Sequence, residues 1–372
     1  MNDSLVEDLQ DAFDVNMNVK LINVISGIHI IASGYNQQIN KLISNVVNHL
    51  INKKISDNIF LIKKNALKNM YINNMYINPI NQAIKHMREL LIQNYITVDD
   101  KLKVINEITL DKLNEYRKKL LKKLYVKFLI QGNITKEETI KLVKLTVHDL
   151  SYEPIKTDKI VDKVIQLNKQ YFYKVQSTNK KENNSGVLCI YQIGLNNFKL
   201  INIVELLRII IKQSYISQLR TNEQLAYNLG TKILIKGKII HFGFLIISSA
   251  KSPTYLQKRI DIFIENFLDI LKKMDNDTFN IYIDSLIDSY NKKYISMEEE
   301  FTNNYKEIID EEYIFDRKII NAQVIKKIKK KDLINFYKEN IISKKKNLNI
   351  HIHGNSSDDK SITKIFSNLP AI

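Results

Sequence analysis

The sequence is poor in the residues that mark disulfide-bonded, secreted or membrane-bound proteins. Its single cysteine, Cys189, excludes an internal disulfide and any zinc cluster built from cysteines. No apolar run approaches the roughly 18 residues that a membrane-spanning helix requires. The first residues, 1–4, carry neither a basic flank nor an apolar segment of the signal-peptide kind. We therefore expect a cytoplasmic protein without a membrane anchor.

Arginine is also scarce, although the chain of 372 residues has a formal net charge of +16. Only six of its 56 basic residues are arginines, at positions 88, 117, 208, 220, 259 and 317. A positive field attracts polyanions, but sites that recognise phosphate usually favour the guanidinium fork. The lysine runs at 326–331 and 344–346 lack interleaved aromatic stacking groups. We interpret the charge as solvated surface, and nucleic-acid binding, with its steep salt dependence, is the less favoured alternative.

The common catalytic motifs are missing. None of the seven histidines lies in a His-x-x-Glu-His or His-Glu-x-x-His sequence, and no nucleophile-elbow, P-loop or dinucleotide-binding pattern occurs. His351 and His353 share one face of an expected strand, which we interpret as facing solvent. A metal site there, with Asp358 or Asp359 nearby, is the alternative. Cys189 lies in an apolar strand and is predicted to be a buried, inert thiol.

Hydrophobic periodicity predicts an α+β protein. In the first part of the chain, strands are expected at 24–33 and 124–130, and helices at 36–50, 57–73, 81–93, 99–107, 111–123 and 135–150. In the second part, strands are expected at 163–176, 187–193, 225–235, 239–249 and 348–353, with helices at 198–219 and from 252 onward. The strands at 225–249 are predicted to form a hairpin that turns at Lys236–Gly237.

Three segments recur in the same order about 220 residues later, which indicates a duplicated domain. Segments 95–101, 111–116 and 128–133 recur at 313–318, 332–337 and 350–355. The repeat predicts a first domain at 1–150, a linker at 151–158 and a second domain at 159–372. The same offset aligns Ala12 with Ala226, so we expect roughly 60 residues of the first copy to lie outside this sequence. Its sheet would then keep an unpaired edge.

The most informative segment is Arg220–Tyr227, with the sequence Arg-Thr-Asn-Glu-Gln-Leu-Ala-Tyr at the end of an amphipathic helix. It places a fixed cation and a phenol hydroxyl one short segment apart, where together they can hold a peptide carbonyl. The alternative is structural: Arg220 would pair with Glu223, and Tyr227 would be a core residue with its hydroxyl at the surface.

This segment resembles the Arg-Thr-x-Glu-Gln-Leu-x-Tyr motif in the C-terminal half of insulysin-type zinc peptidases of the pitrilysin family. Four further segments resemble the family in the same order: 33–36, 131–136, 185–187 and 315–317. The resemblance covers nearly the whole chain. Asn222 and Ala226 depart from the Lys and Gly more often found in the motif, and the methyl group of Ala226 lies beside Tyr227 in sequence.

The resemblance implies the third and fourth of four related α+β domains, with the third cut short at its start. Each domain of this pitrilysin/LuxS-like metallohydrolase type has a mixed, mostly antiparallel sheet covered by helices. By the same resemblance, Arg220 would bind a substrate carbonyl or carboxylate, and Tyr227 would donate a hydrogen bond to the developing oxyanion. The zinc ligands and glutamate base would lie in an N-terminal half, so this chain itself is expected to bind no cofactor.

We therefore expect the substrate-clamping, non-metal half of a zinc metalloendopeptidase that degrades short peptides. Its partners would be a zinc-bearing N-terminal peptidase half, from the same gene or a separate chain, and a peptide substrate. Alone it should not cleave peptides. The alternative is a non-enzymatic peptide-binding or assembly module that has kept the fold.

Overall fold

The computed structural model describes residues 9–24, 27–74, 76–156 and 163–355. Their contacts divide the chain into two compact units. Unit 1 takes its described residues from 1–68, 103–160 and 294–315, and unit 2 takes the remainder. The domain limits predicted from the repeat remain a prediction, and residues 157 and 158 of the predicted linker lie outside the described residues. Within the described residues, no helix is both long and apolar enough to cross a membrane.

The elements of the first 156 residues are mostly helices. In chain order they are α1 (Gln10–Asp14), β1 (Asn18–Val24), β2 (Gly27–Ser33), α2 (Asn36–Asn52), α3 (Asp57–Asn73), α4 (Pro79–Leu91), α5 (Val98–Ile105), α6 (Leu110–Lys122), β3 (Lys123–Leu124), α7 (Lys136–Leu150) and β4 (Glu153–Pro154). Polar caps fix several helix starts. At the start of α4, Asn78 precedes Pro79 and its side chain accepts a hydrogen bond from the Asn81 amide. At the start of α7, Thr135 and Glu138 form a capping box.

The second part of the chain contains the larger sheet. Its elements are β5 (Tyr171–Gln176), β6 (Ser185–Leu195), α8 (Phe198–Ile216), a π-helix (Ser217–Asn222), β7 (Asn228–Lys236), β8 (Ile239–Ser248), α9 (Pro253–Lys273), α10 (Asn276–Asn291), α11 (Met297–Ile309), α12 (Arg317–Ile325), α13 (Lys330–Tyr337), a second π-helix (Lys338–Ser343) and β9 (Asn347–His353). Helix α9 begins at the predicted Ser252–Pro253 pair, and the Ser252 hydroxyl accepts a hydrogen bond from the Tyr255 amide.

Unit 2 is built on a five-stranded sheet in the order β5-β9-β6-β8-β7. Strands β5 and β9 are parallel, and all other neighbours in this sheet are antiparallel. Alternate residues of β6 face opposite cores: Val187 and Cys189 pack with helices α8 and α9, and Leu188 and Ile190 pack with α4. The predicted fold class is confirmed, because the sheet is mixed, mostly antiparallel and covered by helices.

Unit 1 contains a smaller sheet, the antiparallel hairpin of β1 and β2. Val46 and Leu50 of α2 and Met17 are among the buried residues of its core. On β2, His29 forms a hydrogen bond with Tyr305 of α11, so this helix from late in the chain packs within unit 1. Burial lowers the pKa of His29, which favours the neutral imidazole at this contact.

Three predicted strands differ from the structure. The strand expected at 24–33 is the second half of a hairpin, since 18–24 also pairs. Of the strand expected at 124–130, only Leu124 is in a strand, and 125–130 form none among the described residues. The strand expected at 163–176 begins at Tyr171. Before it, Val164 forms an isolated antiparallel bridge with Ile92, and Leu167 is buried in irregular backbone, so this apolar pattern reflects core burial and one bridge rather than a continuous strand.

The prediction that one face of the last strand faces solvent was wrong. His351 and His353 are each 1% exposed, although they were expected to face solvent. The reason is the position of β9, which lies between β5 and β6 and is covered on that face by α9. His351 Nε2 lies 3.3 Å from Oε1 of Gln257 on α9. Both faces of this strand are therefore buried, and its polar residues face a helix.

Candidate functional site

A π-helical turn and the segment that follows it position the two predicted site residues of unit 2. Helix α8 ends at Ile216, and Arg220 lies in the π-helix that continues it. The Glu223 amide donates to the Gln218 carbonyl at 3.0 Å, which keeps the wider π spacing to the end of the turn. Such π turns are common at functional sites. Leu219 and Leu225 are buried and anchor the segment to the core.

The structure brings Arg220 and Tyr227 together. The Arg220 Cζ atom lies 4.7 Å from the centroid of the Tyr227 ring, which is a cation–π contact. The Tyr227 side chain is 87% exposed, and Arg220 is exposed as well. A cation and a phenol hydroxyl are therefore presented side by side to solvent, at the point where β7 begins.

Glu223 does not pair with Arg220. It accepts two hydrogen bonds from Arg259 of α9, from Nε to Oε2 and from Nη2 to Oε1, each at 2.7 Å. The Gln218 side chain donates a third, to Oε1 at 3.0 Å. The hydrogen bonds from Arg259 lower the pKa of Glu223. The structural alternative, an Arg220–Glu223 pair with a core tyrosine at 227, was wrong because Arg259 takes the carboxylate and Tyr227 lies outside the core.

A second anchor holds the segment to the end of β8. The Ser248 hydroxyl donates to the Leu225 carbonyl at 2.6 Å. It accepts hydrogen bonds from the amides of Ala250 and Lys251. Gln224, just before Leu225, has a positive φ of 51°, so the chain turns sharply between the two anchors. The segment that carries Arg220 and Tyr227 is thus held at both ends.

Sequence reasoning missed the residues that support the site. Gln218 lies in the same turn as Arg220, but Arg259 and Ser248 lie far along the chain, and no spacing relates Arg259 to Glu223 in sequence. One signal was available for Arg259. It is one of six arginines in a lysine-rich chain, and bidentate recognition of a carboxylate requires a guanidinium group.

The other candidate groups are buried away from this segment. Burial raises the pKa of the Cys189 thiol to about 12, in agreement with the expected inert thiol. His351 and His353 lie under α9, while Asp358 and Asp359, considered as further metal ligands, fall outside the described residues. Zinc sites need three or four nitrogen, sulfur or oxygen ligands. The described part of the chain offers no group of three or more His, Cys, Asp or Glu side chains that could hold a metal, so its residues do not fit zinc.

Two family models match separate parts of the chain. The model for the middle or third domain of peptidase M16 matches residues 1–104. The model for domain 4 of the C-terminal lobe of PqqF-like PQQ synthases matches residues 206–305, which include Arg220 and Tyr227. Together, these two adjacent kinds of domain account for more than half of the chain.

A curated relative extends the similarity over most of the sequence. The chain is 25% identical over 341 residues to the peroxisomal insulin-degrading enzyme-like 1 of Arabidopsis thaliana, with 88% of this chain and 35% of the relative covered. The chain therefore spans about a third of the length of the curated relatives that it matches.

Solved structures show the same fold. The crystal structure of pitrilysin matches with a TM-score of 0.87 at 19% identity and covers 99% of this chain and 41% of that one. An inactive domain of peptidase M16 from Pseudomonas fluorescens matches with a TM-score of 0.63 at 11% identity, covering 94% of this chain and 84% of that one. The middle-domain match, the insulin-degrading-enzyme relatives and the pitrilysin fold together support the identification of this chain with the C-terminal half of long pitrilysin-family (M16) peptidases.

Proposed function

We propose that this chain is the substrate-clamping half of an insulysin-type zinc metalloendopeptidase acting on short peptides. The observation that carries the proposal is the exposed Arg220–Tyr227 pair. The guanidinium lies over the phenol ring, and the nearest carboxylate in sequence, Glu223, is occupied by Arg259. Among the described residues, the ion pairs do not include Arg220. The pair can therefore contact a peptide placed against this surface.

Each residue of the pair has a distinct chemical role in the proposal. The guanidinium of Arg220 binds a substrate carbonyl or carboxylate and orients the peptide. The hydroxyl of Tyr227 donates a hydrogen bond to the scissile carbonyl oxygen as that oxygen gains negative charge. One donor of this kind is worth on the order of 3 kcal/mol of transition-state stabilisation. Its position is set in advance by the two anchors of the segment.

Zinc would be bound by a partner half rather than by this chain. The described residues lack a suitable ligand set. The chain also covers about a third of its relatives' length, which leaves room in those proteins for another peptidase half. We propose that such a half, from the same gene or a separate chain, supplies the metal and the glutamate base.

Reconstitution tests this function. The purified chain, mixed with the zinc-bearing N-terminal half of an insulysin-type enzyme, should cleave a fluorogenic peptide that neither half cleaves alone. Arg220→Lys should reduce kcat/KM by about tenfold or more, because an ammonium does not replace the planar fork. The control is Lys326→Ala, a change at an exposed site on the same unit, which should leave cleavage unchanged. A complex that forms without cleaving would contradict the peptidase role.

The alternative is a peptide-binding or assembly module without catalysis. The specific observation in its favour is the match to an M16 domain described as inactive, of which this chain covers 84%. The same reconstitution separates the two. If the chain binds peptide, but no mixture with an N-terminal half from the family cleaves it, the binding module would be favoured.

A further inference from the structure

The outer edge of β7 is a free strand edge that starts directly after Tyr227. In the order β5-β9-β6-β8-β7, strand β7 lies at the end of the sheet, and its pairing with β8 runs without interruption over nine residues. No strand of the described residues pairs with its other side. Free edges offer unpaired amides and carbonyls to another chain.

The hairpin turn shows which residues of β7 present those groups. Gly237 and Lys238 both have positive φ, 51° and 63°, as in a type I′ two-residue turn. The flanking residues Lys236 and Ile239 then form a hydrogen-bonded pair, and such pairs alternate along an antiparallel ladder. Residues of β7 that lie an even number of positions from Lys236 therefore form their backbone hydrogen bonds with β8. The intervening residues direct their amides and carbonyls outward: Leu229, Thr231, Ile233 and Ile235.

Charge complementarity identifies the occupant. Gly230, Lys232 and Lys236 lie on one face of β7, and a Cβ built on Gly230 would meet nothing within 4 Å, so this face is open next to the lysines. The ion pairs of the described residues include neither lysine. Glu223, the acidic group closest in sequence to β7, is held by Arg259. The edge is thus positive and without a carboxylate of its own strand to neutralise it.

We propose that β7 binds an extended acidic peptide, which adds to the sheet as a sixth strand and continues past the Arg220–Tyr227 pair. The inference rests on the proposed function and specifies its substrate class. Outward backbone groups at Leu229, Thr231, Ile233 and Ile235 supply the hydrogen bonds, and Lys232 and Lys236 select Glu or Asp at alternate peptide positions. Nine residues at about 3.3 Å each give a contact roughly 30 Å long.

Two protein variants separate backbone pairing from other causes of binding. Thr231→Pro removes an outward amide and is a change that edge strands tolerate. Thr231→Val keeps that amide and has nearly the same shape. The Thr231 hydroxyl has no hydrogen-bond partner in the described structure, so valine should fold equally well. Circular dichroism melts of both variants check folding.

The probe is a fluorescein-labelled nine-residue peptide of alternating Thr and Glu, measured by anisotropy with the full chain. Thr231→Pro should weaken binding by at least about tenfold and Thr231→Val by less than about twofold. The double change Lys232→Ala and Lys236→Ala should weaken it roughly fivefold, with Lys326→Ala as the control. A Thr-Lys peptide should bind much more weakly.

Peptide N-methylation provides a readout that does not depend on any protein variant. Two peptides are methylated at alternate amides, one at odd and one at even positions. A strand bonds through one set only, so one peptide should lose binding by at least about tenfold and the other keep it within about twofold. Equal binding of both, wild-type binding by a folded Thr231→Pro chain, or no binding of the unmodified probe at about 1 mM would overturn the site.

Failure of this site differs from failure of the proposed function. Cleavage by the reconstituted complex that needs Tyr227 but ignores Thr231→Pro refutes the β7 site alone. Binding that needs the Thr231 amide, in a complex that never cleaves, refutes the peptidase role and leaves the strand edge as the peptide site of a binding module.

Discussion

Removing the Arg259 guanidinium should loosen the segment that carries Arg220 and Tyr227. Arg259 and Glu223 are 24% and 20% exposed and share two hydrogen bonds of 2.7 Å. Charge-assisted bonds of this kind are stronger than neutral ones, but partial exposure reduces their value, so we expect Arg259→Ala to cost about 1–2 kcal/mol. Local opening of 218–227 should then become about five to thirty times more frequent.

Hydrogen exchange measured by mass spectrometry reports this opening directly. Peptides that cover 218–227 should exchange about five to thirty times faster in Arg259→Ala, while those from β6 should not change. The matched control is Arg208→Ala, since Arg208 pairs with Glu205 by a 2.8 Å bond within α8. Unchanged exchange in Arg259→Ala, or equal acceleration in Arg208→Ala, would refute the proposed anchor.

Low pH should also loosen the segment that carries Arg220 and Tyr227. The pKa of Glu223 is lowered in the folded protein, so its paired carboxylate stabilises the fold above the ordinary value of 4.5. That contribution is lost as the pH falls below 4.5 and through the folded value. Exchange in 218–227 should accelerate in this window, after correction for the intrinsic pH dependence, and Arg259→Ala should abolish the effect.

Further predictions concern the core of unit 2. Burial lowers the pKa of His241 from 6.5 to about 4, so the unfolded chain gains a proton first as the pH falls between these values. The free energy of unfolding should drop by about 3 kcal/mol across that window, and His241→Gln should remove this drop in denaturant titrations followed by circular dichroism. Gly354→Ala should destabilise by roughly 2 kcal/mol or more, because its Cβ would overlap the Asn183 carbonyl, whereas Gly230→Ala should cost little. Cys189 should resist iodoacetamide at pH 8 until denaturant is added, because burial raises its pKa to about 12; rapid native labelling would contradict its burial.

Local sequence signals predicted the helices well, because their ends are set by nearby residues. Helix α3 has the predicted limits, and α4 and α9 begin at prolines that follow Asn78 and Ser252. Strands were less predictable, since a strand exists only where a partner is available. Residues 125–130 have a strand-like pattern without a pairing strand among the described residues, and the apolar residues Val164 and Leu167 are buried in the core.

The site was predictable in part for the same reason. Arg220 and Tyr227 lie seven positions apart, and the short segment between them is enough to bring them together. The partner of Glu223 comes from α9, which no local pattern could show. The burial of His351 and His353 likewise depends on α9 covering the sheet.

The central claim is that the Tyr227 hydroxyl acts on charge that develops during cleavage. In the reconstituted complex, kcat and KM should be measured for the wild-type chain and for Tyr227→Phe, with Tyr116→Phe, an exposed tyrosine of unit 1, as the control. We predict that Tyr227→Phe lowers kcat by about 10² to 10³ and changes KM by less than about threefold, while the control has no effect. A kcat for Tyr227→Phe within about twofold of the wild-type value would contradict the claim.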